Sequence, residues 1–207
     1  MRIEPLPIDG SWRITTDVHP DPRGTFTEWY RFDHLAAAVG HPLDLAQANV
    51  SVSRRGVVRG VHFAAAPGQA KYVMCARGAV LDVAVDLRVG SPTFRQWSAT
   101  RLDDVSRTAV FLTEGLGHAF CALTDEATVV YLCSAVYNAA AERVIDPFDP
   151  DLAIGWPQAA QEASDRDARA PGFGQMLADR QLPSYRAYLD ERAGRQAGCA
   201  AAHPRRT

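Results

Sequence analysis

Apolar and polar residues alternate in short runs from the N-terminus to about Tyr137. A period of two marks half-buried strands, because successive side chains point to opposite faces. Ser11–Val18 and Thr25–Arg31 read as strands, with a turn at Asp21-Pro22-Arg23-Gly24 between them. Asp33–Val39 is Ala-rich and is stopped by Gly40 and Pro42, which predicts a short helix. Strands then follow over Leu45–Ser53, Val57–Phe63, Gln69–Ala76, Gly78–Arg88, Phe94–Leu102, Ala109–Thr113, His118–Leu123 and Ala127–Tyr137. Past Asn138 the alternation stops. Asp146–Pro157 is rich in Pro and Asp and reads as loops, and Asp179–Arg195 reads as a helix. Ala197–Thr207 has no periodicity and is expected to fray. Roughly ten strands at short spacing, followed by a mixed tail, predict a mainly β sandwich or barrel of jelly-roll type. The expected organisation is one domain over residues 1–190 and a flexible tail over 191–207.

Two strands carry more than fold information. In Leu45–Ser53, one face holds Leu45, Gln47, Asn49, Ser51 and Ser53, and the other holds Ala46, Ala48, Val50 and Val52. The polar face suits either a solvated outer surface or the lining of a ligand cup inside a barrel. In Val57–Phe63, strict alternation puts Arg59 and His62 on opposite faces. If both serve one site, a bulge or kink at Gly60 is required.

Composition narrows the class. The chain has 207 residues, enough for a sizeable core, with 47% hydrophobic and 22% charged residues. A net charge of −2 argues against nucleic-acid or membrane-surface binding. The start, MRIEPLPIDGSW, lacks the apolar stretch of a signal peptide, and a cytoplasmic location is expected. Cys75, Cys121, Cys133 and Cys199 form no CxxC pair, and three lie in apolar strand-like runs, so buried free thiols are expected.

The candidate chemistry centres on Arg54–Val73. Lys71 is the only lysine among 22 Lys and Arg residues. Lysine is a compact charge with a tunable pKa, whereas arginine is a permanent planar fork. His19, His34, His41 and His203 fall in turn, helix or tail and read as surface residues. His62 and His118 lie in apolar strand sequence, where a polar ring must find partners. A metal-binding jelly roll would need a His-x-His with further ligands, and no His-x-His occurs, so no metal is expected. A base, a cation and a phenol, here His62, Lys71 and Tyr131, suit proton abstraction beside a carbonyl. A buried core tyrosine is the other reading of Tyr131. Aspartates able to orient His62 are numerous, and spacing does not choose among them.

These segments resemble the dTDP-4-dehydrorhamnose 3,5-epimerase family, in particular its antibiotic deoxysugar members. The likeness rests on DPRGTF (Asp21–Phe26), QANVSVS (Gln47–Ser53), RGVVRGVHF (Arg55–Phe63), QAKYV (Gln69–Val73), LDVAVDLRVGSPTF (Leu81–Phe94), LGHAF (Leu116–Phe120), Tyr131 with Tyr137, and WP followed by SDRD (Ser164–Asp167). It implies a cupin-type jelly roll and a cofactor-free epimerase of a dTDP-4-keto-6-deoxyhexose. His62 would be the base, Asp167 its orienting partner, Lys71 the stabiliser of the enolate oxygen and Tyr131 the acid on the opposite face. His118, with Asp82 behind it, would line the sugar pocket. Arg23 and Arg59 would bind the diphosphate. Phe26, Glu28, Gln47, Asn49, Tyr137 and Arg166 would hold the nucleotide, with Glu142 also in the substrate site. A homodimer is implied, with N-terminal strands completing the neighbouring site through Arg23, Phe26 and Glu28.

The chain departs from the family pattern at Ala64-Ala65-Ala66 and in the loop after Tyr137 (NAAAER). Both bear on whether C3, C5 or both carbons are inverted. A mono-epimerase is the alternative within the class. A non-catalytic nucleotide-sugar-binding cupin and a metal-dependent oxygenase are alternatives outside it. No GxGxxG in a βαβ unit points to a dinucleotide cofactor.

Overall fold

The alternating strands sort into two facing sheets. The computed structural model describes residues 1–158, 160 and 162–202, with side chains through residue 197. The Cys199 side chain, His203 and the remainder of the expected tail lie outside the described residues. The strands are β1 (Arg2–Pro5), β2 (Ser11–Thr15), β3 (Val18–Asp21), β4 (Gly24–Thr27), β5 (Gln47–Ser53), β6 (Val58–Ala64), β7 (Lys71–Arg77), β8 (Ala79–Asp86), β9 (Trp97–Asp103), β10 (Ala109–Leu112), β11 (Leu116–Ala122), β12 (Ala127–Cys133) and β13 (Glu142–Val144). The helices are α1 (Phe32–Val39), α2 (Asp165–Ala168), α3 (Phe173–Ala178) and α4 (Tyr185–Ala202).

One sheet has the order β1-β2-β10-β7-β12-β5, the other β13-β6-β11-β8-β9, and β3-β4 is a separate hairpin. This is the jelly roll that the strand spacing predicts. The facing surfaces bury Val73, Cys75, Val80, Ala84, Leu102, Val110, Phe120 and Val129 in one cluster. Each aliphatic side chain buried in this way contributes about 1.5–3 kcal/mol relative to exposure. A second cluster packs α1 residues Leu35 and Val39 against Tyr72 and Phe111. A third packs Val83, Val85 and Leu87 of the second sheet against Ile145, Leu152, Phe173 and Met176. The alternation of β8 thus puts Val83 and Val85 on the outer layer and turns Asp82, with Val80 and Ala84, towards the space between the sheets.

Several expectations are corrected. Ser11–Val18 is broken after Thr15, so that β3 leaves to pair with β4. The helix expected to end at Arg195 continues to Ala202. Helix α4 thus runs across residue 191, where the expected domain ends. The helix is held there by an Arg195–Glu114 ion pair of 2.6 Å and by the Gln196 amide donating to the Val39 carbonyl at 3.4 Å. His41 is not a surface residue: it is buried, with Nδ1 2.9 Å from the Pro42 carbonyl oxygen. Cys75, Cys121 and Cys133 are buried free thiols. No helix among the described residues is long and apolar enough to cross a membrane.

Candidate active site

A cup of about 920 Å³, partly open to solvent, lies between the sheets. Strands β5, β7 and β12 of one sheet supply Gln47, Asn49, Ser51, Lys71 and Tyr131. Strands β6, β11 and β13 of the other supply Arg59, His62, His118, Phe120 and Glu142.

The β6 bulge decides which side chains reach the cup. His118 pairs with His62 and Phe120 pairs with Arg59, so β6 spends one more residue than β11 over the same span. The extra residue brings Arg59 and His62 to one face, as the sequence requires if they share a site. Gly60 makes this possible at φ 115°, a conformation that glycine adopts readily. A Cβ at Gly60 would lie 2.5 Å from the His118 carbonyl oxygen and 2.6 Å from Ala119 Cβ.

Two histidine–aspartate pairs flank this bulge. His62 Nε2 is 2.9 Å from Asp167 Oδ1. Asp167 is buried and lies on α2, whose N-cap Ser164 accepts a hydrogen bond from the Asp167 backbone amide at 3.1 Å. The second Asp167 oxygen accepts the Gly60 amide at 3.4 Å. Burial works to raise the Asp167 pKa, but the bonds from His62, Gly60 and Ser164 outweigh it, and the carboxyl is held below its ordinary value. His118 Nε2 is 2.7 Å from Asp82 Oδ2, both buried. The partner foreseen for His118 is therefore in place.

Lys71 opens β7 and is 7% exposed, with its side chain lining the cup. Burial pulls its pKa down, and the negative charges of Glu142 and Asp82 act against that fall. Tyr131, opposite Val73 on β7, has its pKa raised by burial and by the Glu142 charge, so the phenol keeps its proton. Among the described residues, no group hydrogen-bonds to the Lys71 ammonium or the Tyr131 hydroxyl, so both are free for a ligand. Arg59 is steered by its Nε donating to Ser53 Oγ at 2.9 Å.

The polar face of β5 lines the cup rather than solvent. Gln47 accepts the Tyr137 amide at 2.7 Å and donates to Asn49 Oδ1 at 2.8 Å, and Asn49 donates to Cys133 Sγ at 3.6 Å. Tyr137 itself stands at the rim, half exposed. It lies beyond the end of β12 at Cys133, where the sequence pattern expects strand.

Five expected residues do not line this cup: Asp167 acts from behind His62, and the other four stand apart from it. Arg23, Phe26 and Glu28 belong to or follow the exposed β3–β4 hairpin, and the Arg23 guanidinium bonds Asp21 at 2.6 Å. Arg166 is exposed on α2, although its neighbour Asp167 is buried. Gln69 and Phe120 line the cup without having been singled out. Phe120 reads as plain core in an apolar strand, and Gln69 reads only as the first residue of the expected strand Gln69–Ala76, whereas in the structure it precedes β7. Among the described residues, no group of three or more His, Cys, Asp or Glu is placed to hold a metal ion.

Comparison with known proteins gives this geometry its place. The chain is 56% identical over 186 residues to a dTDP-4-dehydrorhamnose 3-epimerase from Streptomyces niveus, covering 89% of this chain and 90% of that one. Among solved structures it resembles the rmlC epimerase of Mycobacterium tuberculosis, with a TM-score of 0.92 and 46% identity, covering 94% of this chain and 100% of that one. It also resembles ChmJ, a 3'-monoepimerase from Streptomyces bikiniensis solved with dTDP-quinovose, with a TM-score of 0.90 and 46% identity over 93% of this chain and 98% of that one. A family model described as dTDP-4-dehydrorhamnose 3,5-epimerase matches residues 5–175, and the chain, a jelly roll with its polar cup between the sheets, belongs to that family.

Proposed function

We propose that this chain epimerises a dTDP-4-keto-6-deoxyhexose by deprotonation and reprotonation through an enolate. The observation that carries the proposal is the His62–Asp167 pair facing one cup together with the free Lys71 and Tyr131. His62 removes the proton alpha to the C4 ketone. Its Nε2 is engaged by Asp167, which leaves Nδ1 as the atom for substrate. Asp167 holds the ring orientation and balances the imidazolium that forms. Lys71, itself 7% exposed, stabilises the negative oxygen of the enolate. Tyr131 returns a proton from the other face, and the inverted ketone is released. His118 lines the sugar end, with Asp82 behind it. Arg59 meets the diphosphate, while Gln47, Asn49 and Tyr137 hold the nucleotide and Glu142 contributes to the substrate site.

The exposed hairpin supports a homodimer in which Arg23, Phe26 and Glu28 complete the neighbour's cup. Phe26 is 68% exposed on that hairpin, open to a partner's surface. Arg166 belongs to the same nucleotide-binding set. Residues 1–190 form the catalytic domain.

Inversion at C3 alone is the second reading. It is favoured by the 3-epimerase descriptions of relatives 56% and 47% identical to this chain. Incubation with dTDP-4-keto-6-deoxyglucose in D2O, followed by NMR, separates the two. Deuterium at both C3 and C5 identifies a double epimerase, deuterium at C3 alone a mono-epimerase, and no incorporation refutes epimerase activity on this substrate.

A further inference from the structure

Glu114 sits in the turn between β10 and β11 and is 5% exposed. A buried carboxylate needs a cation or donors around it. Glu114 Oε1 has both: Arg195 Nη1 of α4 at 2.6 Å and the Ser134 hydroxyl, which donates to it at 3.3 Å. The Ser134 hydroxyl oxygen in turn accepts the Ala70 amide at 2.8 Å, and the Ser134 amide donates to the Ala70 carbonyl at 3.0 Å. Ala70 immediately precedes Lys71. Gly68, two residues earlier with φ 87°, packs against the same acid, and a Cβ there would lie 2.8 Å from Glu114 Cβ. Because no hydrogen bond holds the Lys71 ammonium among the described residues, its place depends on where the backbone enters β7.

We infer that Glu114 and Arg195 are positioning residues for Lys71, acting through Ser134 and Ala70, so that α4 takes part in catalysis from outside the cup. The inference rests on the enolate-stabilising role given to Lys71. The relay has a direction. With Glu114 accepting, the Ser134 hydroxyl is oriented to receive the Ala70 amide. Without that acceptor, or without the guanidinium that holds Glu114 in place, the hydroxyl is free to turn and the strand entry loosens. Helix α4 lies beyond residues 5–175, the part of the chain that the family model matches. A simple helix anchor would alter stability and leave Lys71 untouched.

The single lysine makes the test direct. Full-length protein grown with lysine 13C-labelled at Cε gives one lysine side-chain resonance, that of Lys71. Arg195→Ala and Glu114→Gln are expected to shift it and to lower kcat about tenfold with KM unchanged, since small displacements of a reacting group have effects of this order or larger. Arg195→Lys should recover much of both. Arg186→Ala, exposed on the same helix and paired with Asp190, should change neither. An Arg195→Ala protein that folds with an unmoved resonance and unchanged kcat overturns the inference. Arg195 is partly exposed, so this variant remains informative even where Glu114→Gln does not fold. Wild-type turnover by Lys71→Met would overturn the role of Lys71 itself. An inactive Lys71→Met beside a silent Arg195→Ala overturns the positioning inference alone.

Discussion

His62 Nε2 and Asp167 Oδ1 stand 2.9 Å apart across 105 residues of chain, joining the bulged strand to a one-turn helix. The bond leaves one ring nitrogen for substrate and fixes which one it is. Asp167→Asn keeps the shape but no longer balances an imidazolium. It is expected to lower kcat by roughly 10²–10⁴-fold, the range for general acid–base catalysis, with the fold intact. His62→Ala should abolish turnover. Substantial exchange of substrate protons with solvent by His62→Ala would remove His62 from the role of base.

Tyr131 should act late. Its phenol is held protonated by burial and by the Glu142 charge. Tyr131→Phe is therefore expected to retain deuterium uptake by substrate while epimer formation falls at least tenfold, about the lower end of acid–base contributions. An equal fall in uptake and epimer formation would show that Tyr131 is not the specific final acid.

Lys71 sets the alkaline limb of activity. Burial depresses its pKa, and the Glu142 charge opposes that fall. The protonated form stabilises the enolate oxygen, so activity is present below the folded-state pKa and is lost as pH rises through it. The limb should lie below the ordinary lysine value of 10.5. Glu142→Gln removes an opposing charge and should move the limb to still lower pH. Lys71→Arg should fail, because a planar fork does not reproduce a point contact to one oxygen. A kcat–pH profile of the three proteins checks all of this.

Local pattern made part of this site readable. The alternation of β5 marked the polar face that lines the cup. The impossibility of placing Arg59 and His62 on one face without a bulge pointed to Gly60, where the bulge occurs. The His62–Asp167 bond is different in kind. Its partners lie 105 residues apart, and no periodicity selects one aspartate over another. The family resemblance selected it. Strand β13 has only three residues and carries Glu142 into the cup by pairing with Ala64, a register that short-range pattern does not encode. The continuation of α4 was missed for a related reason. Its last residues are Ala- and Gly-rich without an apolar stripe, and Arg195 is held by a distant acid.

Stability should depend on a buried ion pair far from the cup. Arg88 and Asp86 are both fully buried, joined by Nε–Oδ1 and Nη2–Oδ2 contacts of 2.8 Å, and Tyr188 of α4 stacks 4.4 Å from the guanidinium. Asp86→Ala leaves the buried Arg88 with the more distant Asp9 carboxylate, at 3.6 Å, as its ion-pair partner and is expected to cost about 3 kcal/mol. Burial raises the Asp86 pKa, but bonds from Arg88, Ser91 and Thr93 more than offset it, leaving the value depressed. Its contribution is thus present above the ordinary carboxylate range and lost as pH falls through the folded-state pKa. Urea unfolding from neutral to acid pH should show wild type losing this increment and Asp86→Ala lacking it throughout.

The shared-site arrangement has its own test. Strand β5 is one of the two edges of its sheet, and Val50 and Val52 on its outer face are 68% and 57% exposed. An exposed apolar edge invites pairing or needs a cover. A second copy would cover it and carry its hairpin towards the neighbouring cup. Val50→Asp is therefore expected to yield monomers in sedimentation and to lose activity with them. Complementation then separates a shared site from mere contact. His62→Ala and Arg23→Ala chains, each inactive or impaired alone, are unfolded together and refolded as a mixture. If Arg23 serves the partner's cup, each mixed dimer contains one site with both residues intact. Random pairing makes half of the dimers mixed, so activity should return to about a quarter of wild type, as two-fold symmetry requires. If Arg23 serves its own chain, no mixed dimer holds an intact site and mixing restores nothing.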